Sequence, residues 1–198
     1  MVFLLSRARA WVGADAEDRT LERREVEAAR EGDARAFRRI VEHHHRPLYV
    51  LAVRLTGSRT DAEDLVQESL AKAYVNLDRF DASYRLSTWL HRIVLNTCRD
   101  FLKSARRREQ PAGSDPASRM FDESSMQQDE VVANKETAIR VRRALDRLKA
   151  SYREILVLKD MQGLSYVEIS EITGTPVTAL KIRALRARAK LRDQLEAT

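Results

Sequence analysis

The sequence of 198 residues contains one cysteine, six glycines and four prolines, and these scarcities exclude several kinds of protein. A single cysteine excludes a disulfide-bonded scaffold and any zinc site built from several thiolates. So few glycines and prolines argue against a β-rich fold, which needs turn residues about every 8–12 positions. No apolar run approaches the roughly 18 residues that a membrane-spanning helix requires. We therefore expect a mostly helical protein with no membrane span.

The chain is rich in charge and has enough apolar residues to form a core. Charged side chains make up 33% of it and hydrophobic residues 43%, with a formal net charge of +6. This apolar content argues against a chain that is disordered throughout. The basic balance favours a polyanionic partner, although net charge alone predicts nothing about the fold. The length allows one large domain or two small ones.

Hydrophobic periodicity predicts a series of helices in the first half of the chain. Apolar residues recur at helical spacing over residues 21–55, with a break at Gly32-Asp33. Pro47 either kinks the longer segment or restarts it. Thr60 and Glu63 have the spacing of a capping box at the start of the next helix. A polar loop over residues 78–87 then leads into a helix over about residues 87–106.

The composition changes after residue 108. Residues 110–129 carry prolines, small residues and excess acidic charge without any hydrophobic period. This predicts a flexible acidic linker, because loops longer than about 12–15 residues are uncommon inside a compact domain. The apolar start, residues 1–5, is too short for a secretory signal and is interpreted as a frayed tail or a short amphipathic anchor. We predict an all-α chain with a mobile tail over residues 1–24, a helical domain over 25–108, the linker over 109–132 and a second helical domain over 133–198.

The second domain has the pattern of a helix-turn-helix. Ser165 and Glu168 form a capping box before a short helix, and a Gly-containing turn leads to Thr175-Pro176 at the start of a longer basic helix. In this motif the second helix enters the major groove, and residues near its start contact base edges. Lys181 and Arg183 lie in the first two turns. The cations further along are better placed for phosphates, namely Arg186, Arg188 and Lys190.

Neither a catalytic constellation nor a metal site is predicted. The carboxylates at the start of the third helix complement its dipole, and no histidine or further acid is expected to converge on them. His43, His44 and His45 are consecutive, and consecutive helical side chains point about 100° apart, so the three cannot all face one ion. Cys98 is interpreted as a small core residue rather than a reactive thiol, and no cofactor is expected.

Residues 80–89 combine aromatic side chains with a following row of cations and amides. Aromatic faces stack on unpaired bases while positive charge follows the backbone, so this segment suits single-stranded nucleic acid. Phe80 and Trp89 equally suit a second role, in which they fill the gap beneath a long loop. The residues alone do not decide between these interpretations.

Four segments resemble signatures of the extracytoplasmic-function (ECF) sigma factors of the sigma-70 family. Residues 61–68 (DAEDLVQE) and 87–96 (STWLHRIVLN) are similar to two signatures of the sigma-two domain. Residues 163–170 (GLSYVEIS) and 185–191 (LRARAKL) are similar to the opening and close of the sigma-four helix-turn-helix. The resemblance extends over about residues 28–195, and it implies a sigma-two helical bundle joined by the linker to a sigma-four domain.

The resemblance also implies roles for individual residues. The residues that it implies bind the coiled coil of the RNA polymerase β′ subunit are Asp61, Asp64, Leu65, Gln67 and Glu68. The residues that it implies bind the minus-ten element, by capturing a flipped base and contacting the melting duplex, are Phe80, Asp81, Tyr84, Ser87, Thr88, Trp89, Arg92 and Asn96. Reading of the minus-thirty-five element falls to Thr178, Lys181, Ile182, Arg183 and Arg186.

The implied function is that of a bacterial alternative sigma factor, which is not itself an enzyme. Its partners are core RNA polymerase, contacted at the β′ coiled coil and the β flap, then promoter DNA and an anti-sigma factor. Its expected place is the cytoplasm, on the nucleoid or held at the membrane by that anti-sigma factor. The alternative is a stand-alone helix-turn-helix regulator that acts without core polymerase.

The second helix of the motif departs from the family pattern most clearly at Thr178, Ala179 and Ile182. The family usually has GTVKSR where this chain has Thr178, Ala179, Leu180, Lys181, Ile182 and Arg183. The two cations are retained, and an apolar Ile182 suits contact with a thymine methyl group. The departures bear on the preferred DNA sequence rather than on DNA binding itself.

Overall fold

The structure, a computed structural model, describes residues 16–108 and 135–196, and the regular elements in those residues are helical. The first group is α1 (Ala16–Arg30), α2 (Ala34–Thr56), α3 (Arg59–Val75), a 3-10 turn (Leu77–Arg79) and α4 (Leu86–Arg108). The second is α5 (Lys135–Asp146), α6 (Ala150–Leu156), a π-helical turn (Val157–Met161), α7 (Tyr166–Thr173) and α8 (Val177–Glu196). The all-α, two-domain prediction is confirmed. The predicted linker and residues 1–15 lie outside the described residues.

The helix boundaries in the first domain follow from local capping. The side chain of Asp33 accepts a hydrogen bond from the N–H of Arg35 at 2.8 Å and starts α2. Gly57 ends α2 in the left-handed region at φ 86°, which favours a residue without a Cβ. Ser58 follows in extended conformation and caps α3 by accepting from the N–H of Asp61.

The capping box predicted at Thr60 and Glu63 is therefore wrong. Helix α3 already begins at Arg59. Ser58, which follows the left-handed Gly57, has the extended conformation typical of a helix N-cap. Glu63 lies instead 3.3 Å from the Nε2 atom of His45.

Two further expectations change along α1 and α2. Pro47 lies inside the unbroken α2, so the interpretation that it restarts a helix is wrong. Residues 16–24, which the sequence places in a mobile tail, form the first part of α1, and this helix packs on α2. The predicted boundary between residues 24 and 25 therefore falls within α1. The apolar pattern, which begins at Leu21, predicted only the later part of this helix.

The core of the first domain lies between α2 and the three helices around it. Helix α2 contributes Ile40, Leu48 and Leu51, each almost fully buried, and α4 contributes Leu90 and Leu95. The spacing of the three α2 residues is that of one apolar helical face. Each fully buried side chain of this size contributes about 1.5–3 kcal/mol of transfer free energy. Because the apolar sides of the helices therefore face the core, the opposite sides of α3 and α4 remain exposed.

The second domain contains the predicted helix-turn-helix. Ser165 and Glu168 form the full capping box at the start of α7, and Gly174 ends it in the left-handed region at φ 69°. Helix α8 begins one residue later than the sequence predicts, at Val177. Its buried stripe consists of Leu180, Ala184 and Ala187, as the helical spacing predicts. The opposite side of α8 is left exposed.

The two domains contact each other through α4 and α2. The guanidinium of Arg99 on α4 forms a bidentate pair with the carboxylate of Glu154 on α6, at 2.9 and 2.6 Å. Glu154 is 8% exposed, so the pair is partly desolvated on one side. The pair Arg85–Glu168, at 3.8 Å, joins the residue just before α4 to α7. We call this set of contacts the interdomain interface.

The carboxyl end of α2 forms another part of the interdomain interface. Arg142 donates to the carbonyl of Val53 at 3.2 Å, and Arg153 donates to the carbonyl of Leu55 at 3.3 Å. These carbonyls lie in the last turn of the helix, where cations are favoured by the helix dipole. The buried apolar residues of both domains form one contiguous cluster.

Candidate nucleic-acid and protein interfaces

One face of α3 presents acidic and amide groups to solvent. Asp64, Gln67 and Glu68 are exposed and follow one another at helical spacing, and Glu68 pairs with Lys72 at 2.6 Å. Asp61 is half-buried at the start of the same helix. Leu65 does not belong to this face, because it is 6% exposed and points into the core. The face suits contact with another protein, whereas the Leu65 side chain is packed in the core.

Two exposed apolar residues extend this face and were missed from the sequence. Val75 is 78% exposed at the end of α3, and Tyr74 beside it is 50% exposed. The Tyr74 ring contacts Phe37 edge-on, with centroids 4.8 Å apart. Val75 falls outside the apolar stripe of its helix, and an off-stripe apolar residue is the signal that could have revealed it.

The loop after α3 divides its aromatic residues between the core and the surface. Phe80 is 5% exposed, and its ring centroid lies 5.1 Å from that of half-buried Trp89. Tyr84, in contrast, is 55% exposed. Phe80 therefore fills the gap beneath the loop, as the second interpretation of this segment has it, while Tyr84 presents an open aromatic face.

Helix α1 braces this loop through its backbone. Arg30 donates to the carbonyls of Leu77, at 3.0 and 3.1 Å, and of Phe80. Arg23 donates to the carbonyl of Ala82 at 3.1 Å. These charge-assisted hydrogen bonds hold the loop carbonyls in place.

The remaining predicted loop residues have mostly local partners. The carboxylate of Asp81 accepts from the N–H of Ser83 at 2.8 Å, and this hydrogen bond lowers the pKa of Asp81 from its ordinary value. The carbonyl of Ser87 pairs with the Nδ1 atom of His91 at 2.7 Å. Thr88 is 7% exposed. Asp81 therefore fixes the turn, and Thr88 is packed within the domain.

Helix α4 carries the clearest candidate surface for nucleic acid. Trp89, Arg92 and Asn96 lie at helical spacing on one side, with Arg92 and Asn96 exposed and Trp89 half-buried. Arg99 continues the row and donates to the side-chain oxygen of Asn96 at 3.3 Å. An aromatic plane, amide groups and cations in one row can stack on bases and follow phosphates.

The exposed side of α8 carries the predicted minus-thirty-five residues. Thr178, Lys181, Ile182 and Arg186 are exposed, while Arg183 is half-buried. Ile182 is 52% exposed, which leaves its apolar side chain on the surface among the cations. The structure thus brings all five predicted residues to the accessible side of the second helix of the motif.

One other residue of α8 differs from expectation, and a second had not been considered. Arg188 was expected to be available to phosphates, but it forms a bidentate pair with Asp160 at 2.9 and 2.6 Å. Leu185 is 69% exposed and was not singled out from the sequence. Arg188 therefore fastens α8 to the π-helical turn, and Leu185 adds an apolar contact point beside Arg186.

Cys98 is a core residue. Its side chain is fully buried in α4, and burial raises the pKa of the thiol to about 12. A thiol in this state is neutral and shielded, so the interpretation of Cys98 as a small apolar residue agrees with its environment. Among residues 16–108 and 135–196, no helix is long and apolar enough to cross a membrane.

Sequence-family models match both domains. Sigma-70 region 2 matches residues 40–108, and Sigma-70 region 4 matches residues 138–191. The first match contains most of α2, together with α3 and α4. The second contains the helix-turn-helix. The exposed faces of α3, α4 and α8 therefore all lie within matched regions.

Curated relatives and solved structures cover nearly the whole chain. The ECF RNA polymerase sigma factor SigW of Bacillus subtilis (strain 168) is 33% identical over 180 residues, covering 87% of this chain and 96% of that protein. SigM of Mycobacterium tuberculosis is 35% identical over 160 residues, covering 81% and 77%.

Two solved structures share the fold. CnrH in complex with the cytosolic domain of CnrY has a TM-score of 0.66 and 30% identity, covering 91% of this chain and 97% of that one. The sigma factor RpoE in complex with the anti-sigma factor NepR from Bartonella quintana has a TM-score of 0.63 and 26% identity, covering 81% and 96%. With both regions matched in order and relatives aligned over most of their length, the chain belongs to the ECF sigma factors of the sigma-70 family, non-enzymatic proteins that direct RNA polymerase to promoters for transcription initiation.

Proposed function

We propose that this sigma factor binds core RNA polymerase through the exposed face of α3. The acidic and amide side chains of Asp64, Gln67 and Glu68 suit docking on the β′ coiled coil, and they lie on the side of α3 turned away from the core. Exposed Val75 supplies an apolar contact at the end of the same helix. Asp61 supports the start of this face, and Leu65 holds it from within. The second domain contacts the β flap.

The minus-ten element is bound by the loop after α3 and by α4. Exposed Tyr84 and half-buried Trp89 offer aromatic surfaces to a flipped base, and Arg92 and Asn96 contact the melting duplex. The other predicted residues of the segment act beneath or beside this surface. Phe80 supports Trp89, while Asp81, Ser87 and Thr88 fix the loop and the start of the helix.

The minus-thirty-five element is read by α8. Lys181 and Arg183 contact base edges, Arg186 contacts phosphate, and Ile182 with Thr178 supplies apolar contact to thymine methyl groups. The support for this assignment is the position of these side chains on the second helix of a capped helix-turn-helix, where all are exposed except the half-buried Arg183.

Promoter binding requires the interdomain interface to open. Arg99 belongs to the nucleic-acid face of α4, yet its guanidinium is held by Glu154 of the second domain. The contacts of α7 with α4 also bring the helix-turn-helix against the domain that binds the minus-ten element. The closed arrangement therefore competes with DNA for the same surface.

An anti-sigma factor is the third partner. A related sigma factor of the same fold is in complex with the anti-sigma factor NepR, and this chain leaves apolar side chains exposed on α7 and α8 for such a protein, namely Val167, Ile182 and Leu185. We place the chain in the cytoplasm, on the nucleoid during transcription or held by an anti-sigma factor at the membrane. We retain the four-segment division predicted from the sequence, except that the first helical domain begins at α1.

In vitro transcription with core polymerase tests the function. The purified chain and core enzyme from its host bacterium are expected to yield discrete run-off products from a genomic promoter library, with none from the chain or core alone. Substituting Lys181 and Arg183 with Ala should reduce initiation at these promoters, because each good base contact contributes about 1–3 kcal/mol.

Lys190→Ala is the matched control for this pair. It removes a cation from the same helix, but one beyond the first two turns and paired with Asp193 at 3.2 Å. It should leave the choice of promoters unchanged. Absence of any product with core enzyme, or specific duplex binding that drives regulation without core, would instead favour the stand-alone regulator. Unchanged initiation by the double variant would refute the assignment of α8.

A further inference from the structure

We propose that Glu22, His43 and His44 form a binding site for a divalent transition-metal ion of the Zn²⁺ class, which joins α1 to α2. The three residues offer one carboxylate oxygen and two imidazole nitrogens, and these atoms all lie within 4.8 Å of one another. Zinc binds imidazole and carboxylate ligands at about 2.0–2.2 Å. Modest side-chain rotation therefore brings all three to one ion.

The structure separates the three consecutive histidines in a way that the sequence could not show. His45 turns to Glu63, at 3.3 Å, and its ring stacks on Tyr49. The rings of His43 and His44 lie 4.9 Å apart on the other side. This geometry agrees with the expectation that the three histidines cannot all face one ion, and the third ligand of the proposed site comes from α1.

Two of the three ligands are held by packing. His44 is 2% exposed, and its Nε2 atom lies 3.4 Å from a carboxylate oxygen of Glu22, whose side chain is 17% exposed. His43 is exposed and stands at the surface end of the cluster. An ion reaching His43 from solvent would meet a pre-formed pair of ligands and would keep one position for water, as in three-ligand zinc sites.

The surface cleft beside the cluster favours a cation. Glu25 and Glu42 line it together with the three ligands, and Arg39 is its one arginine or lysine. Arg39 is paired with Glu25 at 2.8 Å, which offsets its charge. The carboxylates of Glu22 and Glu42 then give the cleft a negative balance. Imidazole with carboxylate is a ligand set suited to Zn²⁺ and its first-row neighbours rather than to Mg²⁺ or Ca²⁺.

A bound ion would act on the loop that α1 braces. Glu22 directly precedes Arg23, which donates to the carbonyl of Ala82, and Arg30 on the same helix holds the carbonyls of Leu77 and Phe80. Fastening α1 to α2 therefore also fastens the loop that carries Tyr84. Helix α1 lies before residue 40, where the match to region 2 begins.

Metal titration of the untagged full-length chain tests the proposal. After removal of metals with EDTA, calorimetric titration with Zn²⁺ is expected to show one ion per chain, and Co²⁺ should give visible absorption bands of a site with nitrogen ligands. Glu22→Gln and His43→Ala should each weaken the apparent Zn²⁺ affinity by at least about tenfold. The rise in melting temperature on adding Zn²⁺ should disappear in both variants.

His45→Ala is the matched control, because it removes a neighbouring histidine that faces away from the cluster. It should bind Zn²⁺ with unchanged affinity. His44 is buried, so its substitution also removes core packing, and the test relies on Glu22 and His43 with circular dichroism to verify folding. Absence of saturable binding overturns the proposal. So does equal loss in all three variants, or no loss in Glu22→Gln and His43→Ala.

Discussion

His91 lies on the buried side of α4, opposite the exposed row that includes Arg92 and Asn96. Burial lowers its pKa from an ordinary value of 6.5 to about 4. The charge of nearby His44 also lowers it, while the hydrogen bond with the Ser87 carbonyl and the charge of Glu168 act in the opposite direction. The folded protein therefore holds this imidazole neutral at pH values where the unfolded chain would protonate it.

This difference predicts an acid sensitivity. Between about pH 6.5 and pH 4 the unfolded state binds the extra proton, so the free energy of unfolding decreases as the pH falls through this window. The steepest slope from one histidine is about 1.4 kcal/mol per pH unit. Urea unfolding at a series of pH values measures this slope, and His91→Gln should flatten it. An identical slope in the variant and the original chain would show that other groups cause the sensitivity.

The exposure of the candidate site residues can be predicted from the sequence only in part. Helical spacing correctly predicts that Gln67, Arg92 and Lys181 are exposed, because each lies off the apolar stripe of its helix. The motif resemblance also selected Leu65 and Phe80, which are buried. A family signature contains core positions as well as contact positions, and the pattern alone does not separate them.

At the scale of the element, α3 shows why exposed faces are predicted better than helix ends. Its apolar stripe fixes the buried side, while its start depends on the φ values of Gly57 and Ser58, which the sequence leaves open. The pair formed by Glu68 and Lys72 spans one turn on its exposed side. Both side chains of the pair are about half exposed, so it contributes less than about 1 kcal/mol to stability.

Joint substitution of Gln67 and Glu68 by Ala should therefore weaken binding to core polymerase without changing the melting temperature. We expect a loss of about 1–2 kcal/mol in the free energy of core binding, since a few contacts dominate such interfaces. Fluorescence titration of the labelled chain with core polymerase measures it. Lys72→Ala is the control, because it breaks the same ion pair but keeps the acidic face. Equal loss in Lys72→Ala would assign the effect to the ion pair.

At the scale of the whole molecule, the sequence predicts two domains but not their contact. Arg99 and Glu154 lie 55 positions apart, and each looks in the sequence like an ordinary solvated charge. The carbonyls of Val53 and Leu55 carry no sequence signal at all, since every residue has one. Contacts of this kind depend on the relative placement of folded domains, which local periodicity does not encode.

Glu154→Gln should shift the chain towards an open form. The substitution removes the negative charge that pairs with Arg99. Its loss raises the free energy of the closed form more than that of the open form, in which water solvates Arg99. We expect a larger radius of gyration by small-angle scattering and about fivefold tighter binding to single-stranded minus-ten oligonucleotides, equivalent to about 1 kcal/mol.

Asp160→Asn is the matched control for this experiment. It breaks a bidentate pair with Arg188 of similar geometry, but one that lies within the second domain. It should change neither the dimensions nor the affinity for the oligonucleotide. The closed form would have no role in masking the DNA surface if Glu154→Gln behaved in the same way as this control.

The contiguous apolar cluster that spans both domains has a consequence for turnover in the cell. Separation of the domains exposes apolar side chains that the closed chain conceals. In an open chain that is not bound to polymerase, chaperones and proteases can bind these exposed side chains. Binding to polymerase covers them again. We therefore expect the amount of this sigma factor in the cell to depend on how often it opens unaccompanied, as well as on how fast it is made.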